Sequence, residues 1–190
     1  MQKITNDSVD RQINVAENSG NIYMSKKSKY TRLFEKLNIE VSSNKERFAK
    51  VLQEMERYLT KKDSIGLKQK LIDGGFSKRQ IIRALERKQL YWKKYEKYKN
   101  YEFAQRIHID LLAKIIIDFE THVEPLIIAE QDQQIVLECI YENVVKPMLT
   151  LLNDEGAEDE VLYLNSEEVY GMIFFLTGKC HLNWKDYDSI

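Results

Sequence analysis

The residues of this sequence whose side chains could carry out chemistry are three histidines and two cysteines. His108 and His122 stand 14 positions apart, with no cysteine or carboxylate at a spacing that would complete a metal site. Cys180 and His181 are adjacent, so their side chains diverge, and Cys139 stands alone. A nucleophilic pair of Cys180 with His108 or His122 is the one formal enzymatic arrangement. We therefore expect no enzyme, no metal site and no cofactor.

Electrostatic binding is the second chemistry that the residue types allow. Residues 61–100 contain 13 Lys and Arg against 4 Asp and Glu, a net charge of +9, whereas residues 101–190 contain 5 against 18, a net charge of −13. The basic part could bind a nucleic acid or an acidic partner. Alternatively, the fold brings the two halves together so that they neutralise each other. The candidate nucleic-acid contacts are Arg79, Arg83, Arg87, Lys93, Lys94 and Lys97.

The aromatic residues among these lysines have two interpretations. Tyrosines interleaved with lysines can stack on bases while the lysines hold phosphates. Trp92 and Tyr95, however, share a helical face with Ile81, Ile82 and Leu85. This spacing favours a place in the core for both rings, with the lysines on the solvated face.

The element that must position these residues is a stretch from Ser77 to Val123 without glycine or proline. It is too long for an ordinary single helix, so we predict two consecutive helices that meet near Asn100. Ser77 with Gln80 forms a capping box at its start. Other helices are predicted at 30–37, at 44–59 with a capping box of Ser43 and Glu46, and at 65–72. A further helix is capped by Asp132 and kinked at Pro147, and the last one runs from its cap at Asn165, with Glu168, to Gly178.

The N-terminal residues contain a nine-residue repeat that places Ile4, Ile13 and Ile22 in one column, with Val15 two positions after Ile13. Its local alternation is typical of β-strands. Three short rungs cannot bury an apolar face in a monomer. We therefore predict homo-oligomerisation through Ile4, Ile13, Val15 and Ile22 in a small β-prism or β-helix. The alternative is a disordered tail with accidental spacing.

Composition limits the class of protein. The 190 residues are 43% hydrophobic with only 7 Gly and 2 Pro, which favours a mainly α, multi-helix bundle. The domain prediction is an oligomerising β-repeat at 1–24, a linker with a short helix at 25–42, and a helical partner-docking domain at 43–190. No apolar run approaches the roughly 18 residues that span a bilayer, and two cysteines give no disulfide framework. We expect a cytoplasmic protein that does not bind membranes.

Three stretches together resemble a known family. They are 63–75, 98–105 and, most specifically, 170–184, which contains Tyr-Gly-Met and then Gly-x-Cys-His-x-x-Trp. Over roughly 48–184 the chain is similar to the C-terminal helical domain of bacterial ABC-three-component conflict systems. The resemblance implies that Gly178 ends a helix, that Cys180 and Trp184 are buried, and that His181 bonds a backbone carbonyl.

In that family the domain usually follows an effector such as a nuclease or protease, and acts with a small middle component and an ATPase of the Rad50/SMC type. The residues before 30 leave no room for an effector domain, so the resemblance implies a stand-alone subunit. This subunit would be non-catalytic and would recruit or regulate an effector and an SMC-like ATPase in antiviral or mobile-element defence. The competing hypothesis is a nucleic-acid-binding regulator that uses the basic segment 78–99.

Overall fold

The structure, a computed structural model, describes residues 27–43, 52–62, 65–157 and 159–187. The prediction of a mainly α bundle is confirmed within these ranges, where no strand occurs. The predicted β-repeat, with Ile4, Ile13, Val15 and Ile22, lies outside the described residues. The helices are α1 (Lys29–Ser42), α2 (Leu52–Leu59), α3 (Leu67–Asp73), α4 (Lys78–Tyr98), α5 (Glu102–His122), α6 (Glu124–Ile128), α7 (Gln133–Ile140), α8 (Lys146–Glu155) and α9 (Ser166–Gly178), with a π-helical turn, Tyr141–Val145, between α7 and α8.

The long stretch without glycine or proline forms two helices, as predicted. α4 begins at the predicted capping box, in which the Ser77 hydroxyl accepts from Gln80 N–H and the Gln80 side chain accepts from Ser77 N–H. The chain turns at Lys99 and Asn100, and Tyr101 N–H donates to the Tyr98 carbonyl at 3.0 Å. α4 and α5 therefore form separate helices joined by a short turn.

A side chain from another helix completes the start of α5. Tyr101, at the N-cap position, provides no side-chain cap. Instead, the buried Glu40 carboxylate of α1 accepts hydrogen bonds from Glu102 N–H and Phe103 N–H, both at 3.1 Å. A negative charge at this position also interacts favourably with the positive end of the α5 helix dipole. The α4–α5 turn is thus held by tertiary contacts as well as by its own sequence.

α1 is longer than the sequence indicated. The prediction ended the helix at Leu37 before a break, but the structure continues it to Ser42. Leu33, Phe34, Leu37 and Glu40 recur at three- and four-residue spacing and are all buried, chiefly against α5. Residues 44–51 of the next predicted helix lie outside the described residues, which show its end as α2. Ser43, predicted to cap that helix, is the C-cap residue of α1.

The buried face of α4 also differs from the prediction. Ile81 and Tyr95 are buried as expected, but Ile82 and Leu85 are exposed, and Ala84 and Tyr91 take their place in the core. The small side chain of Ala84 lets α9 pack along this side of α4. This pairing is the most extensive helix contact among the described residues.

Both prolines lie where the helices are interrupted, and the interruption at Pro147 was predicted. Pro125 lies in the first turn of α6, directly after α5 ends. Before Pro147 the helix widens into the π-helical turn, in which Lys146 N–H donates to the Tyr141 carbonyl. A proline lacks an N–H and crowds the preceding turn, so a local change of helix geometry is the expected response. No helix of the described chain has both the length and the apolarity to cross a bilayer.

Candidate interaction surfaces

The six candidate nucleic-acid contacts predicted from the sequence all lie on α4, which pairs with α9. The two helices cross closely at Gly171. A Cβ atom added there would lie 2.5 Å from the Arg87 carbonyl oxygen and 2.7 Å from Tyr91 Cβ. Only glycine therefore fits at this crossing without movement of the α4 backbone. This explains a glycine in the middle of a helix, where it is otherwise unfavourable.

Two of the six candidate nucleic-acid contacts bind α9. Arg87 makes a two-pronged contact with the Glu167 carboxylate, with both N–O distances at 2.9 Å, and this contact holds the pKa of Glu167 below its usual value. Lys94 pairs with the buried Glu168 carboxylate at 2.6 Å and also donates to the Tyr163 carbonyl at 3.2 Å. Part of the basic segment is thus neutralised by the acidic half of the chain.

Glu168 has a double role. Its Oε2 atom accepts from Asn165 N–H at 3.2 Å, which completes the predicted capping box of α9, while Oε1 accepts from Lys94. The sequence predicted the cap but not the pairing, because Lys94 is 74 positions away.

The remaining four candidates, Arg79, Arg83, Lys93 and Lys97, are exposed on the outer side of α4. The Lys97 ammonium lies 4.8 Å from the centre of the Tyr98 ring, and its hydrogen bond to Tyr98 raises its pKa. Aliphatic side chains share this outer side: Ile82, Leu85 and Leu90 are also exposed. α4 therefore has a buried edge paired with α9 and an outer face that mixes cations with aliphatic groups.

A buried polar cluster joins α4 to α5. The Tyr91 hydroxyl lies 3.4 Å from His108 Nδ1, and the rings of Tyr91 and Tyr95 meet the imidazole edge-on. Burial, followed by the nearby Lys94 charge, lowers the pKa of His108 to about 3, and burial raises the pKa of Tyr95 to about 12. The imidazole is therefore neutral at physiological pH and packs as a core residue.

The other chemistry-bearing residues also contact the framework of the fold. The Cys180 thiol lies 3.5 Å from the Ile65 carbonyl, and the Cys139 thiol donates to the His122 carbonyl at 3.3 Å. His181 interacts with the Tyr58 and Arg57 backbone, but burial dominates and lowers its pKa. Within the described ranges, no group of three His, Cys, Asp or Glu residues could hold a metal ion.

The C-terminal tail folds back onto the bundle, as expected for Trp184. Its indole N–H donates to the Thr177 hydroxyl at 3.0 Å, and its ring meets those of Phe76 and Phe119 edge-on. A Cβ atom on Gly74 would lie 2.5 Å from Trp184 Cβ, so the α3–α4 turn is shaped to this tail. Two of the three sequence stretches behind the resemblance, 63–75 and 170–184, therefore meet in space.

Several residues with structural roles could not be identified from the sequence. They include Glu40, which caps α5, and Lys70, which is fully buried and bonds the Asn183 side-chain oxygen.

The described surface also has shallow grooves. One, of about 310 Å³, lies next to the C-terminal tail, beside Gly75 and Trp184. Another, of about 430 Å³, lies on the outer side of α7, beside Leu137 and Tyr141.

Comparison with known proteins agrees with the resemblance. The family model of C-terminal domain 9 of the ABC-three component (ABC-3C) systems matches residues 66–184. No curated protein and no solved structure matches the chain. The family match spans more than half of the chain, from α3 through the α4–α9 pair to Trp184. The chain therefore belongs to the family of C-terminal domain 9 of ABC-three-component systems.

Proposed function

We propose that this chain is a non-catalytic, oligomerising subunit of a bacterial antiviral or mobile-element defence complex. In this role it recruits or regulates an effector, a nuclease or protease, together with an SMC/Rad50-like ATPase, and it works in the cytoplasm. The observation that carries the proposal is the family match over 66–184, because the domains of this family belong to multi-component systems.

The use of the polar side chains supports a docking role. Arg87, Lys94 and Glu168 stabilise the α4–α9 pair, and His108 is buried and neutral. These side chains are therefore engaged within the fold. The outer faces of the helices are then available to partner proteins.

Co-purification tests this proposal. The tagged chain would be expressed with the products of the adjoining genes, and we expect an effector and an ATPase to be retained with it. A Gly171→Leu variant, which cannot keep the α4–α9 crossing, should lose them, whereas the exposed control Glu120→Lys should retain them. Full anti-phage protection after deletion of this gene, together with no retained partner, would refute the proposal.

The oligomerising role assigned to Ile4, Ile13, Val15 and Ile22 has its own test. Light scattering should give a mass per particle well above that of one 22.5-kDa chain, reduced when residues 1–24 are removed. An unchanged mass would rule out this part of the proposal.

One observation favours the second candidate, a nucleic-acid-binding regulator. Arg79, Arg83, Lys93 and Lys97 are all exposed on the outer side of one helix, spread over about 27 Å at 1.5 Å per residue. DNA binding that weakens steeply with salt and is lost in a Lys93→Glu/Lys97→Glu variant would support it. Lys94 and Arg87 are unsuitable for this test, because reversing either charge breaks a contact with α9.

A further inference from the structure

The outer face of α4 combines positive charge with exposed aliphatic surface. Ile82, Leu85 and Leu90 are 48%, 40% and 45% exposed. The surrounding charged residues are Arg79, Arg83, Lys93 and Lys97, with Glu86 and Glu96 as the acidic members, and Glu96 pairs with Lys99 at 2.8 Å. We call this surface the basic face.

The aliphatic groups decide which class of partner suits the basic face. Phosphates are bound by cations and polar groups, and single-stranded bases by aromatic rings, so three exposed aliphatic side chains contribute little to nucleic-acid binding. A protein surface can bury them, and the surrounding cations then select an acidic partner. The basic face therefore fits an acidic protein surface that also carries apolar groups.

The same chain carries a surface of this description. The outer side of α7 and the π-helical turn exposes Ile135 and Tyr141, at 45% and 47%. Glu138 lies between them in the sequence and Glu142 follows Tyr141, and the groove of about 430 Å³ is lined by Tyr141 and these two glutamates together with Gln134 and Leu137. Glu130 and Asp132 extend the negative charge at one end, and Lys146, paired with Glu142 at 2.6 Å, is the neighbouring cation. We call this surface the acidic face.

We infer that the basic face of one copy binds the acidic face of a second copy. The match lies in both charge and apolar content, and it follows the division of the chain into a segment of +9 and a segment of −13. Such a contact joins two different surfaces, so the first copy keeps its acidic face unoccupied, the second copy keeps its basic face unoccupied, and each can add another copy. The contact is separate from residues 1–24, and it stands or falls independently of the proposed defence role.

Sedimentation velocity on the full-length chain tests the contact through charge. We expect the association constant to fall by about tenfold or more between roughly 50 and 500 mM NaCl, because the charge pairs are exposed to solvent and screened. Association through the apolar repeat at 1–24 would not weaken with salt, so the two contributions to the mass are distinguishable.

Two charge-reversal variants make the test specific. Arg83→Glu/Lys93→Glu gives a chain with two acidic faces, and Glu138→Lys/Glu142→Lys gives one with two basic faces. Each variant alone should lose the salt-sensitive association. An equimolar mixture should recover it, because every face then meets its opposite. The control, Lys68→Glu/Glu120→Lys, reverses two exposed charges elsewhere and should associate like the unaltered chain.

The contradicting results are equally distinct. A mass that is unaffected by salt and by both reversals, or a mixture that fails to recover association, would overturn the contact between copies. Loss of double-stranded DNA binding in Arg83→Glu/Lys93→Glu, with its mass unchanged, would overturn it as well and assign the basic face to nucleic acid.

Discussion

Replacement of Gly171 by alanine tests the close crossing of α4 and α9, because this crossing decides whether the change lowers or raises the stability of the protein. In an uncrowded helix interior this change stabilises a protein by up to about 1 kcal/mol. Here the added Cβ would lie 2.5 Å from the Arg87 carbonyl oxygen and 2.7 Å from Tyr91 Cβ. The first of these neighbours is backbone and cannot rotate away.

The size of the effect follows from the separation that relieves the clash. Ordinary contacts begin at 3.4 Å, so the helices would have to move apart by roughly 1 Å. A gap of about that size removes a quarter to a half of the dispersion energy of each contact it opens, and overpacking of cores typically costs about 1–3 kcal/mol. At the upper end of this range, because backbone must move, we expect a net loss of about 2 kcal/mol after the gain in helix propensity.

Urea unfolding measures this difference through the midpoint, provided that the slope is unchanged. Gly66→Ala is the matched control, because a Cβ atom there meets nothing within 4 Å. It precedes α3 as the N-cap, where the exchange of glycine for alanine costs at most about 1 kcal/mol. If Gly171→Ala left the protein as stable as before, or more stable, the close crossing of α4 and α9 would be refuted.

Two further predictions concern buried polar groups. Glu40→Gln removes a charged acceptor from the Glu102 and Phe103 amides and should destabilise the protein by about 2 kcal/mol in the same urea assay. The control Glu35→Gln, which removes a charge paired with Lys27 at the surface, should cost less than about 1 kcal/mol. Equal effects would argue against the cap. The second prediction concerns His108, whose pKa is lowered by burial from the ordinary 6.5 to about 3 in the folded chain. Between these pH values the unfolded chain binds a proton that the folded chain does not bind. The free energy of unfolding therefore falls as the pH drops from about 6.5 towards 3. His108→Leu should remove up to about 1.4 kcal/mol per pH unit of this dependence; an identical pH profile would show that the imidazole is not buried as a neutral group.

The local features of this fold were readable from the sequence. Ser77 with Gln80, Asp132, and Asn165 with Glu168 cap helices through residues two or three positions away, so their spacing is sufficient to predict them. Gly74 and Gly178 lie at helix ends, which is also a local signal, because glycine is common where a helix stops.

The contacts between distant residues could not be predicted. Glu40 accepts from amides 62 and 63 positions away, and it lies beyond Leu37, where the prediction ended the first helix. On α4, two adjacent faces carry aliphatic residues, and periodicity cannot choose between them. The choice is made by Gly171, whose missing side chain admits the Ala84–Tyr91 side of α4.

The same limit applies to the candidate site. The sequence identified six cations by their density but not their partners. Arg87 and Lys94 are engaged by Glu167 and Glu168 at the start of α9, which lie 80 and 74 positions away in the sequence. Exposure of the other four became visible only when the inner side of α4 was known.

The cap supplied by Glu40 shows that the family match and the folding unit begin at different residues of this chain. The family match begins at residue 66, yet α1, which ends at Ser42, contributes Leu33, Phe34 and Leu37 to the shared core and closes the start of α5. A fragment cut at 66 would expose the apolar side of α5 and leave two backbone amides without their acceptor. The stretch shared with relatives is therefore shorter than the unit that must fold together, and a fragment intended for partner-binding experiments should begin before Lys29.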